Sequence, residues 1–211
     1  HPEGEPLPEG LFYLMLLDEL PGPEDVTFLS KGWAARSELP DYVYNVIEAL
    51  PVKTRPMVQF STAILSMASE SKFLAAYING TGKQEYWDST YEDVMDIIAR
   101  LPRIAAFIYR RVYHNNKHID PDPSLDWAAN LAHMMGYNNY EVYRLLRLYM
   151  FLHADHEGGN VSAHTTHLVG SALSNPYYAY GAGMTGLAGP LHGFANQEGI
   201  RWILAMNNES G

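Results

Sequence analysis

Five of the nine histidines, His153, His156, His164, His167 and His192, fall in the stretch from His153 to Glu198. Between Leu148 and Ile200 there is no lysine or arginine, and the only acidic residues are Asp155, Glu157 and Glu198. That composition predicts a buried interior, where an imidazole needs a partner or a job. The stretch therefore reads as the substrate floor of an enzyme. His192 is the sharpest candidate. In Gly189-Pro190-Leu191-His192-Gly193, proline pushes the residue before it to an extended conformation, and Gly193 opens the following helix. The ring would lie beside free N–H groups, and the helix dipole disfavours an imidazolium there. A neutral imidazole that donates a hydrogen bond suits a carbonyl being polarised while an enol or enolate develops. Asn196, four residues on, could orient the ring, whereas Gln197 reads as ordinary helix surface.

His156 lies in Asp155-His156-Glu157-Gly158-Gly159, at a helix-to-loop boundary. It either interacts with the helix C-terminus or presents an N–H to an anionic ligand, with the glycines letting backbone come close. The pairs His153/His156 and His164/His167 are each three residues apart, a spacing that could hold zinc. The carboxylate of a zincin is absent, and His-Ala-Asp-His lacks the further histidine of a metal site. No metal is expected, and His164 and His167 are expected to hydrogen-bond to neighbouring helices.

The chain of 211 residues can bury a substantial core as one domain or two small ones. With 47% hydrophobic and 18% charged residues it is neither a disordered chain nor a fibre. The absence of cysteine removes disulfides, thiolate nucleophiles and Cys-ligated metals together. A net charge of −10 argues against a nucleic-acid partner. No apolar run approaches the roughly 20 residues of a membrane span, so no membrane partner is expected. The opening residues, HPEGEPLPEG, are neither a signal peptide nor a transit sequence.

Helical periodicity dominates, and the fold class is all-α. Helices are expected over 9–20, from 24 with Val26, Phe28, Leu29 and Trp33 facing the core, over 42–50 behind an Asp41 cap, and over 56–69. Lys72 to Ile78 should be a short helix closed by Asn79-Gly80. Ser89 or Thr90, with Glu92 and Asp93 three residues on, should cap a long helix that Pro102 kinks or splits. Ser124 should cap 125–135, stopped by Gly136. Residues 140–153 follow, with Arg144 and Arg147 on an exposed or functional side. Asn160 should cap 161–173, and Pro176 begins a helix containing Gly181, Gly183, Gly186 and Gly189. That glycine density is better explained by close approach of packed backbones than by propensity. A last helix runs from 193 to about 207.

Several stretches carry a resemblance to a known family. They are Glu5-Pro6-Leu7-Pro8-Glu9-Gly10-Leu11, Leu29-Ser30-Lys31, Glu85-Tyr86-Trp87, Tyr91-Glu92-Asp93, Asp155-His156-Glu157-Gly158-Gly159-Asn160-Val161-Ser162-Ala163-His164 and Gly186-Leu187-Ala188-Gly189-Pro190-Leu191-His192-Gly193. The chain resembles citrate synthases, in the all-helical form of eukaryotic mitochondria, over nearly its whole length. The resemblance implies condensation of acetyl-CoA with oxaloacetate to give citrate and CoA, with no cofactor, in a homodimer of the mitochondrial matrix. It implies that His192 hydrogen-bonds the thioester carbonyl while an aspartate removes a methyl proton. It further implies that His156 contacts oxaloacetate with Asn160 nearby, that Leu191 and Gly193 flank the acyl pocket, and, more loosely, that Lys83 reaches a CoA phosphate across the dimer. Phe194 stands where the family usually has leucine.

A second catalytic histidine in a Gly-Tyr-Gly-His context, the aspartate base and the substrate arginines do not appear after Arg201. The histidine-rich floor also holds no cation for a dianionic substrate, which needs charge-assisted donors. The chain is therefore expected to be a segment of a longer protein. Residues 1–192 would belong to a large helical domain and 193–211 to the first helix of a smaller one. The competing readings are a 2-methylcitrate synthase acting on propionyl-CoA, a non-catalytic synthase-like assembly protein, and a histidine metal-binding module.

Overall fold

The computed structural model describes residues 4–154 and 157–209, and among them there is no strand. Helices α1 (Pro8–Leu17) and α2 (Pro23–Arg36) each start on a proline, whose missing N–H costs nothing in a first turn. Helix α1 ends short of the expected Leu20 because Asp18 takes a left-handed conformation, φ 57°. Helix α3 (Asp41–Ala49) is preceded by Pro40, and Asp41 makes no side-chain cap. It sits instead inside the first turn, where its charge faces the positive end of the dipole. Helix α4 (Pro56–Ser66) tightens into a 3₁₀ turn over Met67–Glu70, and α5 (Lys72–Ile78) has the bounds that its sequence predicts.

Helix α6 (Tyr86–Tyr113) is 28 residues long and organises the rest. It begins before Ser89 and Thr90, whose hydroxyls turn back onto the Tyr86 carbonyl from inside the helix. Neither residue is therefore a cap. Asp93, expected to help cap its own helix, crosses to α5 instead. Its carboxylate accepts from Ser71 Oγ at 2.6 Å, Lys72 N at 2.7 Å and Phe73 N at 3.2 Å. Those backbone donors have no partner within α5, so a buried carboxylate from a neighbouring helix satisfies them.

Pro102 lies buried inside α6, and the helix runs through it. Proline lacks the N–H that would have bonded the carbonyl four residues back, that of Ile98. The indole Nε1–H of Trp127 donates to that carbonyl at 2.8 Å. A tertiary hydrogen bond thus replaces the missing helical one.

Trp127 opens α7 (Trp127–Met135), which is capped by Asp126 and not by Ser124. Asp126 Oδ1 accepts from Ala129 N at 3.0 Å, while Ser124 is engaged with Asp122. Gly136, at φ 103°, stops the helix as its sequence predicts. The other oxygen of Asp126 is paired at 2.8 Å with Arg147 of α8 (Tyr140–Ala154). Arg147 also meets Glu5 at 3.3 Å and is only 4% exposed. It is a buried structural cation, not the exposed or functional residue expected, because two carboxylates compensate its burial.

Val43 and Ile47 of α3, Ile64 of α4, Met67, Ile104 of α6 and Tyr177 form the main core, each fully buried. A second core joins Leu29 and Trp33 of α2 to Met95 and Ala99 of α6. Phe28 points out of it, 72% exposed, contrary to its expected inward direction.

The histidine-rich stretch forms α9 (Val161–Ser171) and α10 (Pro176–Leu187), packed side by side, and leads to α11 (Ala195–Glu209). Helix α10 buries Tyr177, Ala179, Gly181 and Gly183, but α9 has no buried residue at all. The buried interior expected of the whole stretch is therefore confined to α10 in the single chain, because α9 packs mainly on α10 and has open space on its other faces. Helix α11 begins two residues later than expected and is exposed from Ala195 to Asn208.

Candidate functional site

A cavity of about 820 Å³ lies between α8, α9, α10 and the start of α11. Its working parts are His153, Asn160, Ser162, Met184, His192 and Phe194. Asn160 caps α9, with Oδ1 accepting from Ala163 N at 3.0 Å and from Ser162 Oγ at 2.8 Å, while Nδ2 donates to the Glu157 carbonyl at 2.9 Å. This fixes Ser162 in the first turn of α9, where backbone N–H groups are free.

His192 sits in the tight turn between α10 and α11, where His192 N and Phe194 N both donate to the Gly189 carbonyl, at 3.1 and 3.3 Å. Its Nε2 lies 2.8 Å from Ser162 Oγ and 3.4 Å from Ser162 N. A backbone N–H can only donate, so this contact needs Nε2 unprotonated and leaves the ring's proton on Nδ1. The hydroxyl of Ser162 reaches both Nε2 and Asn160 Oδ1, and its single proton serves one at a time.

Two glycines permit this geometry. A Cβ at Gly183 would lie 2.3 Å from Thr166 Oγ1 and 3.1 Å from the Ser162 carbonyl, so α10 can rest on the first turns of α9 only without one. At Gly193 a Cβ would meet both Leu187 O and Leu187 Cδ1 at 2.6 Å, and the turn could not fold back. Close backbone approach is the role that the sequence predicts for Gly183; Gly193, expected to open the following helix, lies in the turn instead, because the helix starts only at Ala195.

His192, Asn160 and Gly193 thus meet at one cavity. The helix N-terminus facing the imidazole is that of α9, thirty residues earlier in sequence, rather than that of the helix following His192. Asn196 makes no hydrogen bond to His192 among the described residues, and Ser162 does the holding. Ser162 escapes sequence reasoning, although its place two residues after an asparagine cap is the signal that could have found it. Gln197, read as ordinary surface, borders the cavity while remaining exposed. His153 also lines it, its Nδ1 2.8 Å from the Tyr149 carbonyl and its ring stacked on Tyr149.

The structure leaves the other candidates apart. Leu191 is 99% exposed and Lys83 lies on the surface in the 3₁₀ turn Lys83–Glu85; neither lines the cavity. His156 lies outside the described residues. His164 and His167 are exposed and form no hydrogen bond to a neighbouring helix among the described residues, contrary to expectation. Among the described residues no lysine or arginine lines the cavity. The arrangement can offer a carbonyl oxygen a positioned N–H donor, but these residues cannot neutralise a dianion.

The family model described as "Citrate synthase, C-terminal domain" matches residues 4–210. Citrate synthase 4, mitochondrial, of Arabidopsis thaliana is 52% identical over 207 residues, covering 98% of this chain and 44% of that protein. The mitochondrial citrate synthase of Saccharomyces cerevisiae is 52% identical over 205 residues, covering 97% and 43%. The chain thus spans less than half the length of these curated relatives. Among solved structures, citrate synthase from Pyrobaculum aerophilum matches with a TM-score of 0.86 at 30% identity, covering 95% of this chain and 50% of that one. Citrate synthase from Thermoplasma acidophilum, solved in complex with carboxymethyl coenzyme A and oxaloacetate, matches with a TM-score of 0.74 at 25% identity, covering 89% and 47%. A family match across almost every residue joins the helical fold and the histidine turn in one conclusion: the chain belongs to the citrate synthase family.

Proposed function

We propose that this chain supplies the carbonyl-polarising wall of a citrate synthase active site, which condenses acetyl-CoA with oxaloacetate in the complete protein. The observation that carries the reading is the contact of His192 Nε2 with Ser162 at the N-terminus of α9, which frees Nδ1–H to donate. In this reading Nδ1–H hydrogen-bonds the thioester carbonyl oxygen. An aspartate supplied elsewhere in the protein removes a methyl proton, and charge grows on that oxygen. His156 contacts oxaloacetate, and Asn160 acts near it and by holding Ser162. Gly193, which lines the cavity, flanks the acyl group, as does Leu191 once the rest of the protein covers its exposed side chain, and Lys83 reaches a CoA phosphate across a homodimer. Helix α11 begins a smaller domain that brings the missing cationic residues over the cavity. No cofactor enters, since the thioester is itself a substrate. The mitochondrial names of the relatives support a location in the matrix.

The test is kcat and melting temperature on one preparation of the full-length His192→Ala enzyme. Loss of a donor of this kind costs about 10²–10³ in kcat. We expect that loss with little change in oxaloacetate affinity. A folded variant within about threefold of the parent kcat, or one whose only defect is a lower melting temperature, would overturn the catalytic role.

A further inference from the structure

A second cavity, of about 280 Å³, opens between α3, α6 and the loop ahead of α7. It shares no lining residue with the His192 cavity. Arg103 and Arg110 line it from one face of α6, two helical turns apart. The guanidinium of Arg110 is clamped: Nε donates to the Lys117 carbonyl at 2.5 Å and Nη1 to the Met135 carbonyl at 3.1 Å. A Cβ on Gly136 would come within 2.7 Å of Nη1, so the fit depends on glycine there. Carbonyl dipoles orient this cation without cancelling its charge. Among the described residues Arg110 has no carboxylate at ion-pair distance, in a chain whose net charge is −10.

Arg103 is the complementary half. Its Nη2 pairs at 2.8 Å with Glu38, whose side chain is 76% exposed and free to turn to solvent. Among the described residues its buried Nε–H has no acceptor, so folding has already desolvated a charged donor and left it unused. The hydroxyl of Tyr44 lies beside Arg103, and His118, stacked on Phe107 at 4.1 Å, covers one side. The opposing group is the exposed carboxylate of Asp120 at the rim.

We propose that this cavity is a binding site for a small oxyanion, a phosphate or a short dicarboxylate, held between Arg110 and Arg103. Preoriented guanidinium groups suit the fork geometry of either anion, and the volume holds a small organic acid but no nucleotide-sized ligand. Calorimetry at low ionic strength, with inorganic phosphate in one arm and succinate in the other, tests it on the full-length protein. We expect one anion per chain, bound about tenfold more weakly by Arg110→Gln and by Arg103→Gln, and more tightly by Asp120→Asn. Lys83→Ala, which alters the proposed CoA-phosphate contact, should leave this binding unchanged. The Asp120→Asn gain does not depend on the arginine variants folding, and their melting temperatures are read alongside. No binding of either anion up to about 10 mM, equal binding by Arg110→Gln, no gain in Asp120→Asn, or loss of binding in Lys83→Ala would overturn the proposal.

Discussion

Glu9 of α1 is fully buried, with Oε1 accepting from Ser30 Oγ at 2.9 Å and Oε2 making no hydrogen bond among the described residues. Burial pushes its carboxyl above the ordinary value of 4.5, against opposing effects from backbone donors and Ser30, and the charge of Asp126 adds a smaller upward push. The folded state therefore keeps a proton that the unfolded state releases. Glu9's contribution to stability is fully present below the ordinary value and is lost as pH rises through the folded one. Glu9→Gln, which cannot ionise, should melt at about the parent's temperature near pH 4 and above it at neutral pH. Melts of both proteins at pH 4, 6 and 8 check this, and a gap that stays constant or narrows with rising pH would refute it. The catalytic candidate shows what a sequence conveys at this scale. The turn that carries His192 and the cap at Asn160 are legible because proline, glycine and a capping asparagine announce local geometry. Ser162 is signalled only by its place two residues after an asparagine cap, and its pairing with His192 from thirty residues away is not legible, because only the packing of α9 on α10 creates it.

Asp93 gives the sharpest test among the helices, since it closes the N-terminus of α5 from the third turn of α6. Asp93→Ala would strand the N–H groups of Lys72 and Phe73 in a buried setting and remove the partner of Ser71. The expected loss is about 2–3 kcal/mol of folding stability, read by denaturant unfolding. Ser71→Ala should recover little of it, because the backbone donors remain unsatisfied; an Asp93→Ala loss within about 0.5 kcal/mol of zero would reject the capping role. The all-helical class, the bounds of α5 and the Gly136 stop were open to sequence reading, since periodicity and left-handed glycines are local signals. The caps of α6 and α7 were misplaced for the opposite reason. Ser89, Thr90 and Ser124 have the right chemistry in nearly the right places, but the helix ends fall where Trp127, Arg147 and α5 dock.

At the scale of the molecule, α9 and α10 present an unfilled flank. Leu168 of α9 is 63% exposed and Tyr178 of α10 is 48% exposed, although the surrounding composition is that of an interior. An apolar, lysine-free helical face of this kind fits a second copy of the protein better than water. The full-length protein should be a dimer in light scattering at micromolar concentration, and Leu168→Glu should shift it towards monomer. A stable parent monomer would count against the interface. The long central helix adds a consequence for assembly. Its first and second halves meet at a proline that cannot complete the ladder, and the bond that closes the gap comes from Trp127 on another helix. An α6 with the Ile98 carbonyl satisfied is therefore not something that this segment can reach alone. Continuity of α6 across Pro102 thus depends on α7 being docked, so a change at Trp127 is felt in the central helix as much as at its own position.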